Sequence, residues 1–355
     1  MFSHLKNDRF DRAGITEQIV AIPKADLHLH AEAGPRLDQL LAARGERSAY
    51  DWNHWAKHAM VNLGPGMPRL LDMAKELISP EQDAEPEYFR ARVEMALAEA
   101  ASSGALYAEV RFGRETVARK DFMTLFREAE QNVQKRFPHF MAEPLATLIP
   151  QQDPERTVRL AEACLEAAGN GLRGVDLIPD PYHTEADWTM VYPLAERFAS
   201  AGLGITIHAA EFSTANLSAA LDCPGVRRIG HGIQAAGDPH LTGKLVSSGV
   251  ALECCITSNV ILGAVRSIVR HPVKRLLDAG VPVTVNTDNP VRFRTDLAQE
   301  YSRAVESGMT VAELGQATRT AIEYSFTTPL RRDRLRERFR TLVPTGSDAP
   351  AAGQP

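Results

Sequence analysis

The sequence predicts an α/β protein folded as a (β/α)8 barrel of the TIM type, with a helical insertion after the first strand. Three observations lead there. Eight short strand-like runs recur along the chain, helical patterns lie between most of them, and residues of chemical interest gather where the runs end. Alternating strands and helices imply a parallel sheet, and eight such units close a barrel. An open doubly wound sheet is the other arrangement of the same units.

The runs are KADLHLH (24–30), ALYAEVRF (105–112), PLATLIP (144–150), RGVDLIP (173–179), GITIHAA (204–210), RRIGH (227–231), VALECCI (250–256) and VPVTVNT (281–287). The first ends on His28 and His30, which alternation puts on one face, about 6–7 Å apart. Residues 31–103 hold several helical segments, far more than the roughly dozen residues a crossover needs. An insertion at that point sits over the barrel mouth and can act as a lid. Within it, Trp52, Trp55 and Met60 suit either an apolar lid or core packing. In 84–103, Phe89, Val93, Ala96, Leu97 and Ala100 form one apolar stripe, stopped by Gly104. In 187–201, Val191, Leu194, Ala195 and Phe198 do the same before Gly202. In 310–325, Thr310 and Glu313 match a capping box ahead of Leu314, Ala317, Ala321 and Ile322.

At 355 residues, 44% hydrophobic and 24% charged, the chain fits one globular barrel. Residues 1–343 read as a single domain, and the apolar-poor tail 344–355 is expected to be disordered. A net charge of −5 without a basic stripe points away from nucleic acid. No run approaches the roughly 18 apolar residues of a membrane span, and the N-terminus is charged where a signal peptide is apolar. Cys164, Cys223, Cys254 and Cys255 form no CxxC and no disulfide framework; buried free thiols in a reducing cytoplasm are expected. The expected partner is a small-molecule substrate. A homo-oligomer is compatible with the sequence and not readable from it.

Polar residues fall at the ends of four strands: His28 and His30, His208 and Glu211, His231, and Asp288. Barrel active sites are built from such ends. Three imidazoles and a carboxylate suit one zinc ion with a position left for water, whose pKa the metal lowers towards about 7. A nearby Glu can then serve as general acid and a nearby His as general base. The fourth strand has no lysine, so a second metal bridged by a modified lysine is not expected.

Residues 20–330 resemble the adenosine/adenine deaminase family of the metal-dependent amidohydrolase superfamily. The resemblance rests on PKADLHLHAEAG, YAEVRFGRE, GVDL, HAAE, RIGHG, TSN followed by GAV, NTDNP and a late IEYSF. It implies one zinc held by His28, His30, His208 and Asp288. It also implies Glu211, His231 and Asp288 as catalytic residues. Glu211 would protonate the ring nitrogen beside the carbon under attack. His231 would orient the metal-bound water and help deprotonate it, with Asp288 accepting a proton. Hydroxide would add to the amidine carbon and ammonia would leave.

Four expected substrate-binding positions depart from the family's pattern. Ala210 stands where the family has glycine, adding a methyl beside the ring. Pro179 replaces a glycine whose N–H contacts a purine nitrogen, and proline has no N–H. Asn289 replaces the second of two adjacent aspartates, although its amide can still donate to a purine N7. Glu32 replaces an aspartate that contacts a ribose hydroxyl. The expected function is therefore hydrolytic deamination of a purine-like or related aminated heterocycle, with plain adenosine a poor substrate. Two alternatives stand beside it: a metal-dependent hydrolase of a different C–N bond, and a non-catalytic small-molecule-binding barrel. A base-flipping nucleic-acid deaminase would carry HxE…PCxxC, which is absent.

Overall fold

The computed structural model describes residues 17–31, 45, 55–75, 84–113 and 115–343. Glu32, Trp52 and the tail 344–355 lie outside the described residues. Eight strands run in order: β1 (Lys24–His30), β2 (Ala105–Phe112), β3 (Met141–Leu148), β4 (Gly174–Leu177), β5 (Gly204–Ala209), β6 (Val226–His231), β7 (Ala251–Cys254) and β8 (Val283–Val285). Each is parallel to the next. The ring closes through a parallel bridge between Leu29 and Asp288. There the N–H of His30 donates to the Asp288 carbonyl at 2.9 Å, and the N–H of Asp288 to the His28 carbonyl at 2.7 Å. The sheet is thus a barrel and not an open doubly wound sheet. Its seam runs through three of the residues expected at the metal.

All eight predicted strands form, the first two at the predicted bounds and the other six with shifted ones. The run 250–256 pairs only over Ala251–Cys254, because a helix begins at Ile256. The run 281–287 pairs only over Val283–Val285; beyond it the Thr287 N–H and hydroxyl turn to the Asp26 carboxylate. β3 starts earlier than expected, at Met141, paired with Tyr107.

Strand alternation divides the sheet into two faces. Outward, Leu29, Val110, Phe112, Val175, Ile205, Ile207, Leu252 and Val283 join the main apolar core against the helices. Inward point Glu109, Arg111, Asp176, Thr206, His208, Arg228 and Glu253, all buried. The inner end is plugged by Phe326, the last residue of the IEYSF motif. Its ring occupies the space that a Cβ at Gly174 or Gly204 would need, at 2.5 and 2.2 Å. The Arg228 guanidinium lies 3.5 Å over the ring centroid, a close cation–π contact.

The predicted helices form at Pro86–Ser102, Val191–Ser200 and Val311–Tyr324, with their apolar stripes buried. The capping box is present: Thr310 Oγ1 accepts from the Glu313 N–H and Glu313 Oε2 from the Thr310 N–H. In the insertion, Trp55 does core packing, its ring 6.0 Å from that of Phe293, while Met60 is exposed. The helix Met67–Lys75 reaches over the barrel mouth. Among the described residues no helix is long and apolar enough to cross a membrane. All four cysteines are free and buried.

Candidate active site

His28 and His30 leave β1 on the same face, their ring centroids 5.2 Å apart. His28 Nδ1 bonds Glu253 Oε2 at 2.9 Å, and His208 Nδ1, from β5, bonds Asp176 Oδ1 at 2.8 Å. A carboxylate on Nδ1 holds the proton there and leaves Nε2 with a free lone pair, as a metal-binding imidazole requires. Burial, with repulsion from Arg111 and His208, holds His28 and His30 well below the ordinary imidazole range, so they stay neutral.

The donor atoms converge. His28 Nε2 lies 3.3 Å from His30 Nε2. Asp288 Oδ1 lies 3.4 Å from His30 Nε2 and 3.8 Å from His28 Nε2. Two nitrogens each about 2.0–2.1 Å from a tetrahedral ion sit roughly 3.3–3.4 Å apart, so these separations fit one shared ion. His208 belongs to the same cluster, with ligand atoms within 4.8 Å of those of His28 and His231. Space for the imidazoles depends on Gly230, where a Cβ would lie 3.0 Å from His28 Cε1 and 3.3 Å from the His208 ring. Arg111 Nη1 also approaches His28 Nε2, at 3.2 Å, while its guanidinium holds Asp176, Glu253 and the Leu27 carbonyl.

Three non-glycine residues at the ends of β5, β6 and β8 have positive φ: Ala210 at 55°, His231 at 64° and Asp288 at 62°. The left-handed region costs an L-residue roughly 1–2 kcal/mol. Strain of this kind collects where side chains must be aimed at a site.

Glu211 stands beside the cluster. Burial, and then the charge of Asp288, push its carboxyl up to about 8, against donation from Tyr182 and Asn259. Tyr182 Oη donates to Oε2 at 2.9 Å and Asn259 Nδ2 to Oε1 at 3.3 Å. At neutral pH Glu211 therefore carries a proton it can give away. His231 Nε2 is 3.7 Å from Glu211 Oε2. Ser258 Oγ donates to Asp288 Oδ2 at 2.6 Å.

A cavity of about 430 Å³ opens over these groups, within the range of small-molecule sites. His30, His208, Glu211, His231 and Asp288 form its floor, and Leu70 and Met73 of the insertion cover it. Pro179 and Asn289 also line it, and Asn289 Nδ2 donates to Asp288 Oδ1 at 2.7 Å. Ala210 is buried outside the lining, its carbonyl accepting from the Gln234 N–H at 2.9 Å. Asp180 is exposed at the cavity mouth.

Sequence reasoning brought together the imidazoles, Glu211 and Asp288, offered Ser258 and Asn259 as residues that bond near the metal or only shape the loop, and missed the other supports. Asp176 and Glu253 carried a signal, each a lone charge inside an apolar strand. Tyr182, in a connecting segment, carried none.

The chain matches the family model described as Adenosine deaminase over residues 23–342. It is 32% identical over 338 residues to an adenine deaminase of Chelativorans sp. (strain BNC1), covering 90% of this chain and 98% of that one. Its fold is similar to the crystal structure of adenine deaminase from Arthrobacter aurescens, with a TM-score of 0.71 at 22% identity over 90% of this chain and 98% of the other. It is similar also to the N6-methyl-AMP deaminase of Arabidopsis thaliana, with a TM-score of 0.73 at 23% identity over 92% and 98% of the two chains. The barrel, the converging imidazoles and the length of these matches lead to one assignment: the chain belongs to the adenosine deaminase family of the amidohydrolase superfamily, as a metal-dependent deaminase acting on C–N bonds.

Proposed function

We propose that the protein is a zinc-dependent aminohydrolase of a purine base, nucleoside or related aminated heterocycle, and that plain adenosine is a poor substrate. The observation that carries this reading is the spacing of His28 Nε2, His30 Nε2 and Asp288 Oδ1 beside the buried Glu211 carboxyl. His28, His30, His208 and Asp288 would hold the ion. When bound, zinc supplies Lewis acidity that makes water a nucleophile near neutral pH.

This chain's residues do the rest. The substrate ring lies in the cavity with the amine-bearing carbon over the imidazole cluster. Glu211 gives its proton to the ring nitrogen next to that carbon while water adds. Asp288, positioned by Ser258 and Asn289, accepts a proton from the water. His231 orients the adding oxygen. Asp288 then passes its proton to the amine nitrogen, the C–N bond breaks and ammonia leaves, and the hydroxyl proton of the adduct returns to Glu211 as the ring keeps oxygen as a carbonyl.

The reading of adenosine as a poor substrate rests on Pro179 in the cavity wall, with Asn289 beside it; Ala210, buried outside that wall, gives it no support. A lost hydrogen bond with a buried partner costs about 1–3 kcal/mol, so the contact that Pro179 cannot make is alone worth roughly 5–150-fold in kcat/KM, while the Asn289 amide can still donate. The test is metal analysis of the purified protein with an ammonia-release screen. The panel holds adenosine, adenine, their N6-substituted and 5′-modified relatives, and pterin- and guanine-like rings. One zinc per chain and ammonia from a purine-like amine are expected. An adenosine kcat/KM of about 10⁶ M⁻¹s⁻¹, within the range of efficient enzymes, would overturn the substrate reading. Absence of ammonia from every ring by zinc-loaded enzyme would overturn the function.

A further inference from the structure

His271 takes no part in the cavity lining, yet a chain of hydrogen bonds links it to the reacting groups. It is 3% exposed and lies between a 3-10 turn and the helix Val273–Asp278. The backbone N–H of Val273 points at His271 Nδ1, 3.2 Å away. His271 Nε2 lies 3.1 Å from Asn259 Oδ1. The Nδ2 of that amide lies 3.2 Å from His231 Nδ1 and 3.3 Å from Glu211 Oε1. Asn259 is fully buried and, like His271, does not reach the cavity.

A backbone N–H can only donate, which fixes every role along the chain. His271 Nδ1 accepts and carries no proton. Burial holds the ring neutral, its pKa pushed down to about 3, so the proton is on Nε2 and is donated to Asn259 Oδ1. The amide is thereby oriented with both Nδ2 hydrogens towards acceptors, one on Glu211 Oε1 and one on His231 Nδ1. A neutral His231 that accepts at Nδ1 carries its proton on Nε2, the nitrogen facing Glu211.

We propose that His271, acting through the Asn259 amide, is a positioning residue that fixes the tautomer of His231, so that His231 meets the reacting water with an N–H. This rests on the proposed function above and refines it. In its resting form His231 orients the adding oxygen by donating to it, and Asp288 is left as the proton acceptor.

The test reads the tautomer directly. The full chain, labelled with 15N-histidine, is examined by multiple-bond 1H–15N correlation, metal-free and zinc-loaded. Signals of His231 are assigned by their loss in His231→Asn. In the unsubstituted protein His231 should show an unprotonated Nδ1 and a protonated Nε2. His271→Phe removes the donor to Asn259. It should mix the His231 tautomers and lower kcat by about 10–100-fold, as loss of an outer partner commonly does, with KM within about twofold. His271→Gln, whose amide can donate to Asn259 Oδ1, should restore both. A protonated Nδ1 on His231 in the unsubstituted protein overturns the proposal, and so does an unchanged tautomer in His271→Phe. If His271→Phe fails to fold, the unsubstituted spectrum and His271→Gln still decide. The spectrum needs no substrate, so the assigned tautomer together with no ammonia release defeats the functional reading alone.

Discussion

The two faces of the barrel sheet use the same alternation for opposite purposes. Outward residues such as Val110, Phe112 and Ile207 lie in one continuous apolar core under the helices. Inward residues form an ionic lattice. Arg111 holds Asp176 and Glu253, and Arg228 holds Glu253 and Glu109. Thr206 donates to Glu253 at 2.9 Å and Tyr107 to Glu109 at 2.8 Å. Barrel interiors are commonly filled with branched apolar side chains; this one spends its lumen on paired charges. Buried pairs contribute little net stability, because desolvation offsets their attraction. What the lattice does is hold Asp176 and Glu253 where they orient His208 and His28. The outer face keeps the chain folded and the inner face aims the site.

That division can be broken most sharply at the rim. Glu211→Gln removes the acid while leaving an amide oxygen for one of its two donors. It should lower kcat by roughly 10²–10⁴-fold, the usual span for a general acid, with zinc content and melting temperature nearly unchanged. Full activity in this variant would place the proton donor elsewhere. The outer face should give the reverse result. Phe126 is fully buried, 6.0 Å ring to ring from Phe112. Phe126→Ala should cost about 3–5 kcal/mol of unfolding free energy through lost burial and a residual cavity. Measured by denaturant titration, that loss should come with an unaltered kcat in the fraction still folded. A matching fall in kcat would mean that the two faces are mechanically coupled.

The same division explains what could be read from the sequence. The strands announced themselves by period-2 alternation, as in DLHLH, AEVRF and TIH, and the strand ends carried the metal-type residues. Each of those signals is local. Arg111 lies on β2, Asp176 on β4 and Glu253 on β7, and their pairing depends on a closed ring that brings non-adjacent strands within reach across the lumen. No local pattern encodes it. The strand bounds of β7 and β8 slipped for a related reason. Ile256 and Thr287 fit a strand by composition, but one starts a helix and the other bonds the Asp26 carboxylate from the first strand. Tyr182 lies on a loop fixed by Asn216, whose Nδ2 donates to the Pro181 and Thr184 carbonyls at 3.1 and 2.8 Å. Those partners are more than 30 residues away in sequence and leave no motif.

The smallest effect is expected where the two regions meet, at Asp176. Its Oδ1 accepts from His208 Nδ1 at 2.8 Å and its Oδ2 from Arg111 Nη1 at 3.3 Å. Both neighbours are donors, and a carboxylate satisfies both. An amide of the same shape cannot. In Asp176→Asn, an oxygen turned towards His208 leaves an NH2 against the Arg111 guanidinium. The opposite orientation sets the NH2 against His208 Nδ1 and forces the imidazole proton onto Nε2, the nitrogen that must face the metal. The guanidinium is the worse clash, being a fixed charge, so the second orientation should prevail. Zinc affinity, measured by competition with a chromophoric chelator, should then fall by about 10–100-fold. Activity should return when zinc is raised in proportion, because Glu211, His231 and Asp288 are untouched. If zinc affinity is unchanged while kcat falls, Asp176 acts on the chemistry and not on the ligand, and the lattice is part of the reacting machinery.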